Sequence, residues 1–127
     1  MVHPFADLIG LVFETQELGM SLCRVDVHEK FYNTQCVVHG AILYALADTG
    51  MGGALYPLLD PGEYCATVEI KISYFQAVRR GSIECATRLI HKGKTIAHLE
   101  SDIRNEGHLA AKANGSFSIF RPNQDRK

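Results

Sequence analysis

The stretch CVVHGAILYALADTGMGGALYPLL, from Cys36 to Leu59, decides the fold. His39 and Asp48 are its only side chains that carry charge near neutral pH. By length it could span a bilayer, but an aspartate near its middle is costly in lipid. A helix that is hydrophobic on all sides can instead be the buried centre of a globular domain. We therefore expect one central helix, from about His39 to Leu59, covered by the rest of the chain.

The segments outside this stretch predict strands, each with one apolar face. A short helix or turn is expected over Pro4–Gly10, followed by a strand pair at Leu11–Gln16 and Met20–His28. After the helix, apolar residues alternate with polar ones, as in half-buried strands. The inner-face positions are Val68, Ile70, Ile72 and Tyr74; Ile83, Cys85, Thr87 and Leu89; Ala97, Leu99, Ser101 and Ile103; and Ala111, Ala113, Gly115, Phe117 and Ile119.

Turns are predicted at Asp60–Gly62, His91–Lys94 and Asn105–Gly107, and a polar tail after Arg121. An antiparallel sheet of five to six strands wrapped around one long central helix satisfies every apolar face. The expected fold class is therefore α+β, with residues 1–127 forming one domain, since a chain of this length is too short for two cores.

Composition excludes several function classes. The formal charge is -1, so there is no overall basic field to hold nucleic acid. None of the four cysteines forms a C-x-x-C pair, and no histidine spacing completes a zinc pattern, so we expect no metal. The apolar setting of most of them favours reduced thiols in a cytoplasmic protein. The N-terminus lacks the features of a signal peptide.

Asp48 is the outstanding chemical residue, because nearly all its neighbours are apolar and a carboxylate is expensive to bury among them. One interpretation is an aspartate that caps a local kink near Thr49 and Gly50. The other is a catalytic carboxylate, since unexplained acids in apolar surroundings often coincide with function.

Gly40 marks the start of the helix, where free backbone N–H groups and the positive end of the helix dipole can stabilise an oxyanion. A plain helix start, in which glycine only relieves crowding, is the alternative. Gly40 and Asp48 are eight residues apart, so they lie about 12 Å apart along one helix and on different faces. If both act in one reaction, Gly40 must come from a second chain, which predicts a homodimer with two composite sites.

The pattern Asn33-x5-His39-Gly40-x7-Asp48 resembles the motif of the phenylacetate-degradation type of hotdog thioesterase, in the 4-hydroxybenzoyl-CoA thioesterase superfamily. The resemblance continues through the strand–hairpin–strand order and the small-residue terminal strand. It covers residues 33–120. It implies a hotdog fold and hydrolysis of acyl-coenzyme A thioesters, without metal or cofactor, by dimers that pair into tetramers.

The resemblance also implies roles for individual residues. Asp48 acts as nucleophile or as general base on a water, and the Gly40 N–H polarises the thioester carbonyl. Asn33 helps to place the substrate or the water, and Thr67 orients the water beside Asp48. The chain departs from the family pattern at Ala41, where a second glycine is common. By strict alternation Thr67 also lies on the polar side of its strand, so it reaches the site only if the strand edge or a bulge turns it inward.

Other polar residues have more than one interpretation. His39 invites a general-base role, but its place just before the helix favours a structural hydrogen bond or a contact to the substrate carbonyl. Coenzyme A carries phosphates, so basic residues should line its path. The clusters that qualify are Arg79 and Arg80, and the turn Lys92, Gly93 and Lys94; ordinary solvated turn charge is the alternative for both.

The function expected from the sequence is hydrolysis of an aryl- or medium-chain acyl-CoA to the free acid and CoA. The main alternative is a non-catalytic acyl-CoA binding module on the same fold, against which Asp48 argues. A hydratase is a third possibility, but it needs a catalytic pair that has no place in this sequence. The acyl group itself stays open.

Overall fold

The computed structural model describes residues 2–122, so the expected polar tail lies almost wholly outside the described residues. The elements are α1 (Pro4–Ile9), β1 (Val12–Glu17), β2 (Met20–Asp26), α2 (Gly40–Leu55), β3 (Tyr64–Tyr74), β4 (Ser82–Lys92), β5 (Ile96–Asn105) and β6 (His108–Phe120). Short 3-10 turns at Glu29–Phe31 and Tyr56–Leu58 flank α2 on either side.

All six strands form one antiparallel sheet in the order β1-β2-β4-β5-β6-β3. Helix α2 packs on its inner face, and β1 and β3 are the two edges. The predicted α+β architecture, a sheet around one long helix, is confirmed. The alternation of apolar and polar residues predicted the inner faces of β5 and β6 correctly, because every residue assigned to them is buried.

The helix packs closely against the strands of the sheet at Gly50. A Cβ at that position would lie 2.8 Å from Oγ1 of Thr87, too close for any real contact. The Ser21 hydroxyl donates to the Gly50 carbonyl at 2.7 Å, and the Thr87 and Ser101 hydroxyls are 2.7 Å apart. These buried hydroxyls therefore have partners, which a polar group inside a core requires. The absence of a side chain at Gly50 sets the distance between helix and sheet.

The structure corrects three predicted boundaries. The α-helix ends at Leu55 rather than Leu59, because Pro57 has no N–H to continue the ladder and a 3-10 turn follows. His91 and Lys92 belong to β4 rather than to the turn. The third strand begins at Tyr64, and Val68, predicted to face inward, is 56% exposed because the strand register shifts beside it.

Within residues 2–122, no helix is long and apolar enough to cross a membrane. The stretch from Cys36 to Leu59 contributes a sixteen-residue α-helix whose buried side includes Leu46, Met51 and Leu55. That side packs against the sheet rather than standing free.

Candidate active site

Asp48 lies in the middle of α2 and is half-buried among largely apolar neighbours. Its side chain lines a cavity of about 860 Å³ between α2, the start of β3 and the N-terminal segment. The walls are largely apolar and include Phe5, Phe13, Tyr56 and Phe117. The Asp48 carboxylate is therefore an acidic group in a largely apolar cavity. Small-molecule sites usually combine apolar walls with a few polar groups in this way.

Thr67 donates a hydrogen bond from its hydroxyl to Oδ1 of Asp48, at 2.6 Å. The contact depends on a β-bulge, because the pairing of β3 with β6 shifts by one residue between Thr67 and Glu69. Thr67 pairs with Phe117 and Ile70 with Gly115, so both belong to the inward-facing rows although they are three residues apart. From the sequence, Thr67 could reach the site only if the strand edge or a bulge turned it inward, and β3 is an edge strand that contains this bulge.

Cys65 is the neighbour of this pair that sequence reasoning missed. It lies two residues before Thr67 on the same face of β3, is half-buried and lines the same cavity. Burial raises the pKa of its thiol above the usual value, and the negative charge of Asp48 raises it further. Cys65 is therefore a neutral thiol at pH 7. Cys65 could have been found from the sequence, because residues two positions apart on a strand face the same side and Cys65 is two positions before Thr67.

The start of α2 holds a backbone N–H that has no partner among the described residues. His39 is the N-cap, and its Nδ1 accepts from the Ala41 N–H at 2.9 Å, while its carbonyl accepts from the Ile42 N–H at 3.0 Å. The Gly40 N–H is the group without a hydrogen-bond acceptor among residues 2–122. His39 therefore has the capping role that the structural interpretation predicted.

Tyr74, a second residue that sequence reasoning missed, packs directly on Gly40. Its hydroxyl donates to the Gly40 carbonyl at 2.8 Å, and a Cβ on Gly40 would lie 3.0 Å from both Cζ and the hydroxyl oxygen. Together with Val38, Leu43 and Val78 they line a second cavity, of about 430 Å³. Glycine at position 40 therefore does relieve crowding, and it also leaves the helix start facing a cavity.

The structure does not bring Gly40 and Asp48 together within one chain. Asp48 lines the larger cavity and Gly40 the smaller one, with no lining residue in common. Because they are eight positions apart in the sequence, the two are separated along the axis of α2 by about 12 Å. One carbonyl group cannot touch both in a single chain, as the helix geometry predicted.

Asn33 shapes the loop before α2. Its Oδ1 accepts from the backbone N–H groups of Gln35 at 2.8 Å and Val37 at 3.4 Å, and its own N–H donates to the Val37 carbonyl. This turn leads into Val38 and His39 at the start of the helix. The side-chain oxygen of Asn33 is thus hydrogen-bonded within the loop. The side-chain nitrogen is the atom that is available to a ligand.

The two basic clusters lie at opposite ends of β4. Arg79 and Arg80 follow Val78 at the Gly40 cavity, while Lys92 ends the strand and Lys94 lies in the turn after it. Strand β4 is eleven residues long, so the two clusters are about 35 Å apart along it. The turn is at the Asp48 end, because Thr95 accepts from the N–H of Ile119, the cross-strand partner of Cys65. A single phosphate cannot contact both clusters in one chain.

Within residues 2–122, no three His, Cys, Asp or Glu side chains lie close enough together to hold a metal ion. Further residues of the Asp48 cavity that sequence reasoning missed include Phe13 and Gln16 of β1, Gly52 and Gly53 of α2, and His3. The glycine pair in the last turn of the helix was a visible signal, whereas the approach of β1 to α2 was not.

Comparisons with known proteins agree with this geometry. The model of the thioesterase superfamily matches residues 36–112, more than half of the chain. A "putative esterase" from Saccharolobus solfataricus is 27% identical over 116 residues, covering 91% of this chain and 77% of the relative. A 1,4-dihydroxy-2-naphthoyl-CoA hydrolase from Listeria monocytogenes is 23% identical over 100 residues, covering 79% and 81%.

Among solved structures, a conserved protein from Pseudomonas aeruginosa superposes with a TM-score of 0.86 at 28% identity, covering 94% of this chain and 96% of that one. The family match spans the helix with Asp48, the bulged strand with Thr67 and the hairpin that follows. The chain therefore belongs to the thioesterase superfamily, with the hotdog fold, and is a thioester hydrolase.

Proposed function

We propose that the protein hydrolyses an aryl- or medium-chain acyl-CoA to the free acid and CoA, with Asp48 as its catalytic carboxylate. The observation that supports this most is the hydrogen bond from Thr67 to Asp48 at the wall of an apolar cavity. A carboxylate held by one oxygen keeps the other free for chemistry. The Listeria relative, whose name specifies an aromatic acyl-CoA, is consistent with this substrate class.

In the general-base route, a water beside Asp48 gives a proton to the carboxylate as its oxygen attacks the thioester carbonyl carbon. The carbonyl oxygen becomes an oxyanion, which the Gly40 N–H of a second subunit stabilises. The C–S bond then breaks, and the CoA thiolate takes up the proton from Asp48. Thr67 holds the carboxylate in the orientation that this transfer needs.

In the nucleophilic route, the Asp48 carboxylate itself attacks the carbonyl carbon, and CoA leaves as the thiolate. The resulting mixed anhydride is hydrolysed by water, which restores the carboxylate and releases the acid. Both routes use the same donor at Gly40 and the same orientation by Thr67. The proposal covers both.

The composite site requires a homodimer in which two α2 helices run antiparallel. The partnerless N–H of Gly40 and the separation of the two cavities support this arrangement. The homodimer, and its pairing into a tetramer, are part of the proposal. Asn33 contributes its amide nitrogen near the same helix start.

Coenzyme A needs cationic partners for its phosphates. In the composite arrangement, one subunit supplies Gly40 together with the nearby Arg79 and Arg80. The other subunit supplies Asp48 together with the Lys92–Lys94 turn. Two subunits can therefore offer both clusters to one CoA, although one subunit cannot. We assign both clusters to CoA binding on this basis.

The experiment is a thiol-release assay with purified protein and a panel of acyl-CoAs, comparing the natural chain with Asp48→Asn. We expect kcat to fall by about 100-fold or more, the usual scale for a removed acid–base group. Glu69→Gln is the matched control, because it neutralises an exposed carboxylate on the same strand as Thr67 and should leave the rate unchanged.

Hydrolysis that persists at full rate in Asp48→Asn would overturn the role of Asp48. Tight binding of acyl-CoA by the natural chain, with no release of thiol, would instead support the non-catalytic binding module.

A further inference from the structure

Two adjacent glycines, Gly52 and Gly53, lie on the side of α2 that faces the Asp48 cavity. At Gly53 the bare helix backbone is already occupied by an aromatic ring. A Cβ there would lie 2.5 Å from Cε1 and 2.6 Å from Cζ of Phe13. Gln16 secures the same place, because its Nε2 donates to the Gly53 carbonyl at 2.9 Å. Glycine at position 53 therefore serves the packing of β1 on the helix.

Gly52 has no such partner among residues 2–122. A Cβ built on it meets no heavy atom within 4 Å, although the residue lines the cavity. Its backbone is helical, without a positive φ, so neither a turn nor a strained conformation requires glycine here. Glycine inside a helix costs stability relative to alanine. The chain thus keeps a destabilising residue at a place where a side chain would fit.

The open space beside Gly52 lies close to Asp48 along the helix. Gly52 and Asp48 are four positions apart in the sequence, so they lie on the same face of the helix, one turn and about 6 Å apart. A group that extends from a thioester carbonyl beside Asp48 reaches the backbone of Gly52 within that turn. The ring of Phe13 on neighbouring Gly53 shows that bare helix backbone of this kind accepts a flat, bulky group in van der Waals contact.

We propose that Gly52 is a specificity-determining residue, whose missing side chain admits acyl groups that are bulky within one helical turn of the thioester. This inference rests on the proposed function. A side chain at position 52 projects into the part of the cavity next to the scissile bond, where it excludes bulky acyl groups and spares short ones.

The test compares Gly52→Ala and Gly52→Leu with the natural chain, using phenylacetyl-CoA as the bulky substrate and butanoyl-CoA as the short one. For Gly52→Leu we expect kcat/KM on phenylacetyl-CoA to fall by about 10-fold or more, and on butanoyl-CoA by less than about 3-fold, the scale of discrimination available to an apolar pocket. Gly52→Ala should give a smaller change of the same sign.

Folding provides an independent readout, because alanine favours the helix and meets no clash. The Tm of Gly52→Ala should therefore rise by about 4 °C even as its activity on the bulky substrate falls. Loss of activity in a more stable protein cannot come from unfolding. Light scattering of each variant checks that its assembly is unchanged.

Three results would overturn the inference while leaving the proposed function intact. The first is a natural chain that hydrolyses butanoyl-CoA and the medium-chain octanoyl-CoA but not phenylacetyl-CoA. The second is an equal loss on both substrates in Gly52→Leu. The third is dissociation of Gly52→Leu, which would show that a second copy of the chain covers this position. Absence of thiol release from every acyl-CoA tested would overturn the proposed function itself.

Discussion

The hydroxyl of Thr67 reaches Oδ1 of Asp48, at 2.6 Å, only because β3 inserts an extra residue at Val68. Without the bulge, Thr67 would share the outer face with Glu69, and Asp48 would lack this donor. Bulges often re-aim a side chain next to an active site. The bulge at Val68 therefore links the backbone of an edge strand to the orientation of the proposed catalytic carboxylate.

Thr67→Val tests this relationship with almost no change in shape. We expect kcat to fall by about 10- to 100-fold with KM nearly constant, because a hydrogen bond to a charged group is lost. Thr67→Ser keeps the hydroxyl and should recover most of the rate. Equal rates for the valine and serine variants would show that the hydroxyl does not position Asp48.

Gly40→Pro and Gly40→Ala form a matched pair for the oxyanion donor. Both add a Cβ beside Tyr74, but only proline removes the N–H, and proline is well tolerated at the first position of a helix. We expect kcat to fall by about 100-fold or more in Gly40→Pro, the scale of a removed oxyanion donor. Gly40→Ala should fall much less. Similar losses in both variants would attribute the effect to crowding by Tyr74.

Cys65 reports the charge of Asp48 through its own reactivity. Since burial and the Asp48 carboxylate both raise the pKa of its thiol, alkylation by iodoacetamide at pH 8 should be slower than at exposed Cys36. Asp48→Asn removes one cause, so Cys65 should then react faster while Cys36 does not change. Peptide mapping by mass spectrometry measures both sites in one sample. An unchanged Cys65 rate would mean that Asp48 is not charged beside it.

Gly50→Ala tests the close approach of helix and sheet. Although alanine favours a helix, its Cβ would lie 2.8 Å from the buried Oγ1 of Thr87. We expect a loss of about 1–3 kcal/mol in the free energy of unfolding, the cost of overpacking a core. Urea denaturation measures it. A gain in stability would show that α2 can move away from β4 without cost.

Much of the fold could be predicted from the sequence because the patterns that specify its helix and strands lie within short segments of the chain. Alternation identified the inner faces of β5 and β6, and an apolar stretch around His39–Asp48 identified the central helix. Strict alternation failed at Val68, because a bulge changes the phase of a strand without any glycine or proline to mark it. The helix end was missed because Pro57 permits a 3-10 turn that continues the same apolar run.

The candidate site was predictable only in part. Asp48 stood out by its surroundings, and the separation of Gly40 from it followed from helix geometry. The contacts of Tyr74 with Gly40 and of Phe13 with Gly53 depend on how distant segments pack, for which one sequence gives no register. Such long-range pairs account for most of what the structure added.

The central claim is that each active site joins Asp48 of one subunit to the Gly40 N–H of another, and subunit complementation tests it most directly. Asp48→Asn and Gly40→Pro chains, each nearly inactive alone, are unfolded together in equal amounts and refolded. Random pairing gives mixed dimers with one intact site, so activity should return to roughly a quarter of that of the natural protein. Activity that stays at the level of the two separate variants, in a sample shown by mass spectrometry to contain mixed dimers, would contradict the account.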